Sequence, residues 1–373
     1  MARFVGLMSG TSLDGVDGVL AEFDEDLRLL RTRAHVHMDM PEPLRSELLA
    51  LNAPGSDELH RAALAGQALA GLYAQVTQRL LEATGLGAGD ITAVGAHGQT
   101  VRHRPGEFDG QGYTLQLLNG AALAEATGID VVCDLRSADV AAHGQGAPLV
   151  PAFHAACLAR PGRSIAALNV GGIANLTLLH ADGHVGGFDC GPGNVLMDLW
   201  IQSRRGRPYD EDGRWAASGR CLPALLAESL ADPFFVRTPP KSTGRDLFDR
   251  GWLQARLDAL PSKPDDADVM ATLAELTATS AATALNRFLP DARELLVCGG
   301  GACNAHLMQR LQALLPAVAV QTTASRGIPV DQVEALAFAW LAACRVARRP
   351  AGLPAVTGAA GPRVLGAWHA ASR

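Results

Sequence analysis

The chain has 373 residues, of which 48% are hydrophobic and 19% charged, and carries a formal net charge of −6. That length suggests two domains with ample material for a core, and the balance excludes a disordered chain. No basic run exceeds a pair or so, as at Arg204-Arg205 and Arg348-Arg349, and the apolar stretch at 335–344 is far short of a membrane span, so neither nucleic acid nor a membrane is an expected partner. The seven cysteines include no C-x-x-C pair, which points to reduced thiols. Only about five apolar residues follow Arg3, too few for a signal peptide, and a cytoplasmic protein is expected. Cys298 and Cys303 have no second Cys/His pair at zinc-finger spacing, so no metal site is expected there.

Taken in chain order, apolar runs predict strands at 4–8, 16–23 and 27–37, then helices at 42–52 and 56–84. Pro54-Gly55 separates the helices, Ser56 is the expected N-cap and Gly85 the expected C-cap. Strands follow at 91–96, 113–117 and 129–133, with a short helix at 121–127 stopped by Gly128. Residues 136–148 are Gly-rich and read as an irregular cleft loop near the domain junction. The same grammar restarts with strands at 164–170 and 176–179 and a third ending at Asp189, then a helix to about residue 203. Further helices are expected at 271–288, from Asn304, and at 331–347, with a short strand at 295–298. Alternating strands and helices argue for an α/β fold with a largely parallel sheet. Strand, glycine loop and strand recur at 3–23 and 164–180, which suggests internal duplication. The expected domains are 1–150, with the segment at about 331–373 a candidate to complete it, and 151–330.

Four glycine-containing turns carry the chemistry. The first, at 6–15, reads G-L-M-S-G-T-S-L-D-G and sits between two strands. Glycines there allow close backbone approach, while Ser9, Thr11 and Ser12 add hydroxyls that grip phosphate oxygens. Asp14 and Asp17 add carboxylates where a phosphate-bound metal would sit. It is not a Walker A loop, since G-x-x-x-x-G-K-[ST] is absent. The second turn, N-V-G-G-I-A-N at 169–175, offers backbone N–H groups to a phosphate or forms a plain hairpin. The third, G-F-D-C-G-P-G-N at 187–194, sets Asp189 at a strand end, as a general base or as a turn or cap residue. Asp198, further along the following helix, is a secondary metal or water contact. The fourth, G-G-G-A-C-N at 299–304, follows a strand and opens a helix, where a purine ring can lie flat on glycine backbone. The fragment P-K-S-T-G-R at 240–245 lacks the glycines of a P-loop and also reads as a capped turn.

Polar residues cluster at two further strand ends: His97, Gln99, Thr100, Arg102 and His103 after one, Asp134 and Arg136 after another. No metal-ligand spacing accompanies the histidines. A guanidinium such as that of Arg136 matches a substrate carboxylate. Glu334 opens the last helix, as a ligand contact or as a first-turn carboxylate favoured by the helix dipole.

The wording of the first turn resembles the opening of the anhydro-N-acetylmuramic acid kinases, within the actin-like and sugar-kinase ATPases. The resemblance extends through H-G-Q-T at 97–100, G-Q-G-A-P-L-V-P at 144–151, F-D-C-G-P-G-N at 188–194, K-S-T-G-R at 241–245, G-G-G at 299–301, V-T-G at 356–358 and G-P-R at 361–363. It implies a two-domain actin-like (ribonuclease H-like) α/β fold with an interdomain cleft. It also implies ATP with Mg²⁺, 1,6-anhydro-N-acetylmuramic acid as substrate, and a homodimer in the bacterial cytoplasm. ATP contacts then fall on Ser9, Gly10, Thr11, Ser12, Leu13, Asp14, Gly15 and Val16. They continue on Asn169, Gly171, Gly172, Gly191, Gly193 and Asn194, and on Gly299, Gly300 and Gly301. Asp189 takes the catalytic role, and Asp14 and Asp189 are the carboxylates toward Mg²⁺. Sugar contacts fall on His97, Gln99, Thr100, Asp134, Arg136 and Glu334. The alternatives are an ordinary sugar kinase of the same fold, or a nucleotide-dependent sensor of cell-wall fragments without turnover.

Overall fold

The computed structural model describes residues 1–10, 13–244 and 247–372. In chain order the strands are β1 (Ala2–Met8), β2 (Gly15–Phe23), β3 (Leu29–Asp39), β4 (Ala93–Ala96), β5 (Gln99–Pro105), β6 (Gly112–Leu117), β7 (Val131–Cys133), β8 (Ile165–Val170), β9 (Ile173–Leu179), β10 (Val185–Pro192), β11 (Glu294–Cys298), β12 (Ala319–Thr322) and β13 (Ala367–His369). The chain divides into two compact units, Met1–Cys157 with Gln332–Arg373, and Leu158–Asp331.

In the first unit the sheet order is β13-β7-β4-β1-β2-β3. β1, β2 and β3 pair antiparallel in hairpin succession, while β1, β4 and β7 run parallel. The sheet is therefore mixed, not largely parallel as expected, and both of its faces are covered. Val5, Leu7, Leu20 and Val94 pack toward the helix Glu58–Thr84, which presents Leu69, Tyr73, Val76 and Leu80. The opposite face meets the helix Val333–Val346, whose residues from Ala335 to Cys344 are all buried. Gly6 and Gly95 make that contact intimate, since a Cβ at either would collide with the carbonyl of Ala335 or Phe338. This docking ties the C-terminal segment to the first sheet.

The second unit has the order β10-β9-β8-β11-β12. Again the first three strands are antiparallel and the first, fourth and fifth parallel. One face packs Leu168, Leu176, Phe188 and Val297 against the helices Asp266–Phe288 and Ala305–Leu314. A second apolar cluster joins Trp200, Trp215, Phe234, Phe248 and Trp252. Both sheets thus share one order, third-second-first-fourth-fifth strand with the second antiparallel. This duplicated ribonuclease H-like arrangement makes the fold actin-like.

Several local expectations are corrected. The long helix begins at Glu58, not at Ser56; Asp57 occupies the N-cap in a left-handed conformation (φ 51°) without a side-chain capping bond. The preceding turn extends through Ser56, whose carbonyl accepts from Arg61. Of the polar cluster after the strand at 91–96, Gln99, Thr100, Arg102 and His103 lie on a further strand, β5, which pairs with β6. Within 136–148 a short helix spans Ser137–Val140. Asp189 is not at a strand end: β10 continues to Pro192 through a bulge between Asp189 and Gly191.

Candidate active site

In the second unit, the bulge in β10 lets the chain keep pairing with β9 while it re-aims its side chains. Asp189 faces Asn175 in register, and Asn175 in turn faces Asn169 of β8. Paired residues project to one side of a sheet, so these three polar groups form a row on the face opposite Leu168 and Phe188. Asp189 Oδ2 accepts from the backbone N–H of Thr243 at 2.9 Å, and the Asp189 N–H donates to the carbonyl of Lys241. Oδ1 has no hydrogen-bond partner among the described residues. Burial pushes the Asp189 carboxyl up to about 6, against the opposing pull of the Thr243 N–H and the Lys241 ammonium. Lys241 Nζ lies 4.6 Å from the centre of the Phe234 ring, and its own pKa is lowered, chiefly by burial. A half-buried carboxylate poised near neutral pH is suited to general-base work.

Three glycine turns of this unit converge on Asn169 and Val170. Asn194 donates its backbone N–H to Gly171 O at 2.8 Å and its side-chain amide to Val170 O at 3.1 Å. Gly193 donates to Gly172 O at 2.9 Å, and a Cβ at Gly193 would collide with Gly171 O. Gly299, at φ 78°, donates to Val330 O, and a Cβ there would strike the Asn169 side chain. Gly191 and Gly301 are buried, whereas Gly300 is exposed. The result is a bare backbone cradle of the type that admits phosphate and a flat ring.

In the first unit, the turn after β1 is laced to the turn after β4. Leu7 O accepts from the His97 N–H, Gly10 O from Gln99 Nε2, and Gly98 O from Ser9 Oγ at 3.1 Å. Ser9 Oγ also lies 2.9 Å from the hydroxyl of buried Tyr73, which reaches the same Gly98 O at 3.5 Å. The Ser9 side chain faces inward. His97 is buried between Ser9 O, 3.2 Å from Nδ1, and Arg136, whose Nη2 lies 3.0 Å from Nε2. Burial, reinforced by Arg136, pulls the His97 pKa down to about 3. Arg136 also donates through Nη1 to Gly146 O at 2.8 Å, and burial brings its pKa down to about 10 while Glu334 and Asp139 oppose that fall.

The remaining candidates are placed as follows. Gln99 is 2% exposed and its Oε1 has no partner among the described residues, and Thr100 accepts from Gln116. Asp134 is exposed and accepts from the Ser137 N–H at 3.3 Å, just ahead of the short helix. Glu334 keeps exposed surface, yet desolvation, helped by the charges of Asp17 and Asp14, raises its pKa against the pull of Arg136. Asp14 is exposed and accepts from the Gly15 N–H, whereas Leu13 and Val16 are buried. Asp17 is held by His35 at 3.1 Å and His37 at 3.0 Å. Thr11 and Ser12 lie outside the described residues, as does Arg245. No group of three or more His, Cys, Asp or Glu among the described residues is arranged to hold a metal ion. A nucleotide-borne Mg²⁺ needs no such cage, because it keeps several waters and takes one or two carboxylates. Sequence reasoning had singled out neither Asn175 nor Lys241 as a site residue; strand register and tertiary contact bring both beside Asp189.

A sequence model of the family described as anhydro-N-acetylmuramic acid kinase matches residues 2–371. A protein named anhydro-N-acetylmuramic acid kinase from Variovorax paradoxus is 57% identical over 374 residues, covering 99% of each chain. One of the same name from Cupriavidus metallidurans is 54% identical, covering 98% of this chain and 97% of its own. Among solved structures, the (R)-2-hydroxyglutaryl-CoA dehydratase component A of Acidaminococcus fermentans aligns over 91% of this chain and 97% of that chain, with TM-score 0.49 and 12% identity. From the match along its whole length and the close identity of its relatives, the chain belongs to the anhydro-N-acetylmuramic acid kinase family.

Proposed function

We propose that this chain uses ATP to convert 1,6-anhydro-N-acetylmuramic acid and water into N-acetylmuramic acid 6-phosphate and ADP, in cell-wall recycling. The observation that carries the reading is the Asp189 carboxylate, half-buried, held by one oxygen at Thr243 and pushed up to about 6. Asp189 takes a proton from water as the water oxygen bonds to the anomeric carbon. The bond from that carbon to O6 breaks, and its electron pair stays on O6. O6 then attacks the γ-phosphorus, the bond to the β–γ bridging oxygen breaks, and ADP leaves. The proton on Asp189 returns to solvent.

Ser9 to Val16, the Asn169–Gly172 turn, the Gly191–Asn194 turn and Gly299 to Gly301 are proposed to bind ATP. Positioning and charge neutralisation dominate phosphoryl transfer, which suits glycine turns held in place by the hydrogen bonds that Gly193 and Asn194 donate to the carbonyls of Gly172 and Gly171. Mg²⁺, where bound with the nucleotide, supplies neutralisation of phosphate charge, and Asp14 and Asp189 are the carboxylates placed toward it in this proposal. His97, Gln99, Thr100, Asp134, Arg136 and Glu334 are proposed for the sugar, with Arg136 on the lactyl carboxylate. No helix among the described residues is long and apolar enough to cross a membrane. A homodimer in the bacterial cytoplasm completes the proposal.

The test is turnover of 1,6-anhydro-N-acetylmuramic acid with MgATP in ¹⁸O-labelled water, read promptly by mass spectrometry before anomeric exchange. A sugar 6-phosphate with one heavy oxygen, formed together with ADP, is expected. Unlabelled phosphorylated sugar would indicate an ordinary kinase, and binding of both ligands without turnover a sensor.

A further inference from the structure

The loop at 141–148 and the turn at 356–358 play no part in the chemistry above, yet they meet at a buried carboxylate. Asp139 is 0% exposed. Its Oδ2 accepts from the Gly146 N–H at 2.7 Å and its Oδ1 from the Thr357 hydroxyl at 2.8 Å. The Gln145 N–H donates to Thr357 O at 2.7 Å, and the Gly144 N–H to Asp139 O at 2.9 Å. A Cβ at Gly144 would occupy the space of the carboxylate oxygen, so the G-x-G spacing of 144–146 is what lets the loop wrap it. The same Gly146 offers its carbonyl to Arg136.

Burying a carboxylate is costly, and a neutral side chain could close a connecting turn at lower cost. What this one does is fix a single residue, Gly146, from the N–H side, while the carbonyl side of that residue fixes a guanidinium. Two other N–H groups of Arg136, on Nε and Nη2, converge on His97 Nε2. Among the described residues, one N–H on each terminal nitrogen is then left over, and a planar fork so held is set for a bidentate partner. We infer that Asp139, together with Thr357, is a positioning residue that sets the orientation of Arg136 through Gly146. The inference rests on the proposed role of Arg136 as the sugar-carboxylate contact.

Thr357→Val removes the hydroxyl with little change of shape, and Asp139→Asn removes the charge while keeping the shape. Each is expected to raise the KM for 1,6-anhydro-N-acetylmuramic acid about tenfold, the loss of roughly one hydrogen bond's worth of orientation. The KM for ATP should stay within about twofold, the usual scale for a site without a shared partner. Thr357→Ser is expected to restore the sugar KM. A double-mutant cycle separates positioning from general destabilisation: in an Arg136→Ala background, Thr357→Val should add nothing further to the sugar KM. Additive effects, or a lowered melting temperature with an unchanged sugar KM in both Thr357→Val and Asp139→Asn, would overturn the inference. If Arg136→Ala itself leaves the sugar KM unchanged, the assignment of Arg136 fails first, and the positioning role with it. If Arg136→Ala is impaired while Thr357→Val and Asp139→Asn behave as wild type, only the positioning role fails.

Discussion

Arg136 and His97 meet at one nitrogen, and that contact decides the protonation of the imidazole. Arginine has only donors, so Nε2 of His97, 3.0 Å from Nη2, must be unprotonated. The single ring proton is then on Nδ1, directed at Ser9 O. Both ring nitrogens are occupied inside the protein, and the histidine joins the Arg136 side of the unit to the turn after β1.

His97 is therefore expected to stay neutral, in the Nδ1–H form, from pH 8 to about pH 4, since its pKa lies near 3. Nitrogen-15 NMR of labelled histidine reads both properties directly. A folded value below the usual 6.5 means a contribution to stability that is complete above about 6.5 and is lost as pH falls toward 3. His154, also buried and lowered to about 4, acts in the same direction. The melting temperature should fall across that window, and His97→Asn should flatten the fall. A protonated His97 at pH 6 would contradict the assignment.

Replacing Asp189 by Asn keeps the shape and removes the base. Turnover is expected to drop by about 10²–10⁴-fold with nucleotide binding retained. Steady-state kinetics beside calorimetric titration of ATP measures both, and near-normal turnover would remove Asp189 from the mechanism.

The pH profile follows from the same residue. Asp189 must be ionised to accept a proton, so kcat/KM should rise with pH through an apparent value near 6. Stability runs the other way: a carboxyl whose folded pKa exceeds its usual 3.8 favours the fold below that value, and the contribution is lost as pH rises through about 6. At pH 8, Asp189→Asn should consequently melt higher than the parent by roughly 1–2 °C for each kcal/mol regained. A variant that is slower and no more stable would argue against burial as the cause of the shift.

Gly299→Ala tests the cradle. The substitution forces φ 78° on a side chain and drives its Cβ into Asn169. We expect the KM for ATP to rise about tenfold or more, with a destabilisation on the order of 1–3 kcal/mol. Equal losses for ATP and sugar would indicate general unfolding instead, which a thermal melt would detect.

Much of this was legible before any coordinates. Apolar runs beside glycine turns mark β1, β2, β8, β9 and β11, and Gly85, Gly128 and Asn304 mark helix ends at their observed places. What sequence conceals is pairing. β5, with Gln99, Thr100, Arg102, His103 and Arg104, is too polar to announce a strand, and only β6 beside it makes it one. The bulge past Asp189 leaves no local signal, so a residue inside a bent strand reads as one at its end. Asp139 is unremarkable in its own neighbourhood; its partner Thr357 is 218 positions away. The row from Asp189 through Asn175 to Asn169 exists only as register.

The shared strand order of the two sheets gives each half of the chain a counterpart in the other. The fourth strand of the first sheet is β4 and that of the second is β11, and each delivers the chain at its C-terminal edge. His97-Gly98-Gln99 leaves one, Gly299-Gly300-Gly301 the other. One edge of a shared strand order is thus furnished in two ways, with imidazole and amide groups in the first sheet and with bare backbone in the second. The scaffold is common to both sheets and the side chains at that edge are not, so a strand-by-strand comparison of the two sheets picks out the positions in which they differ.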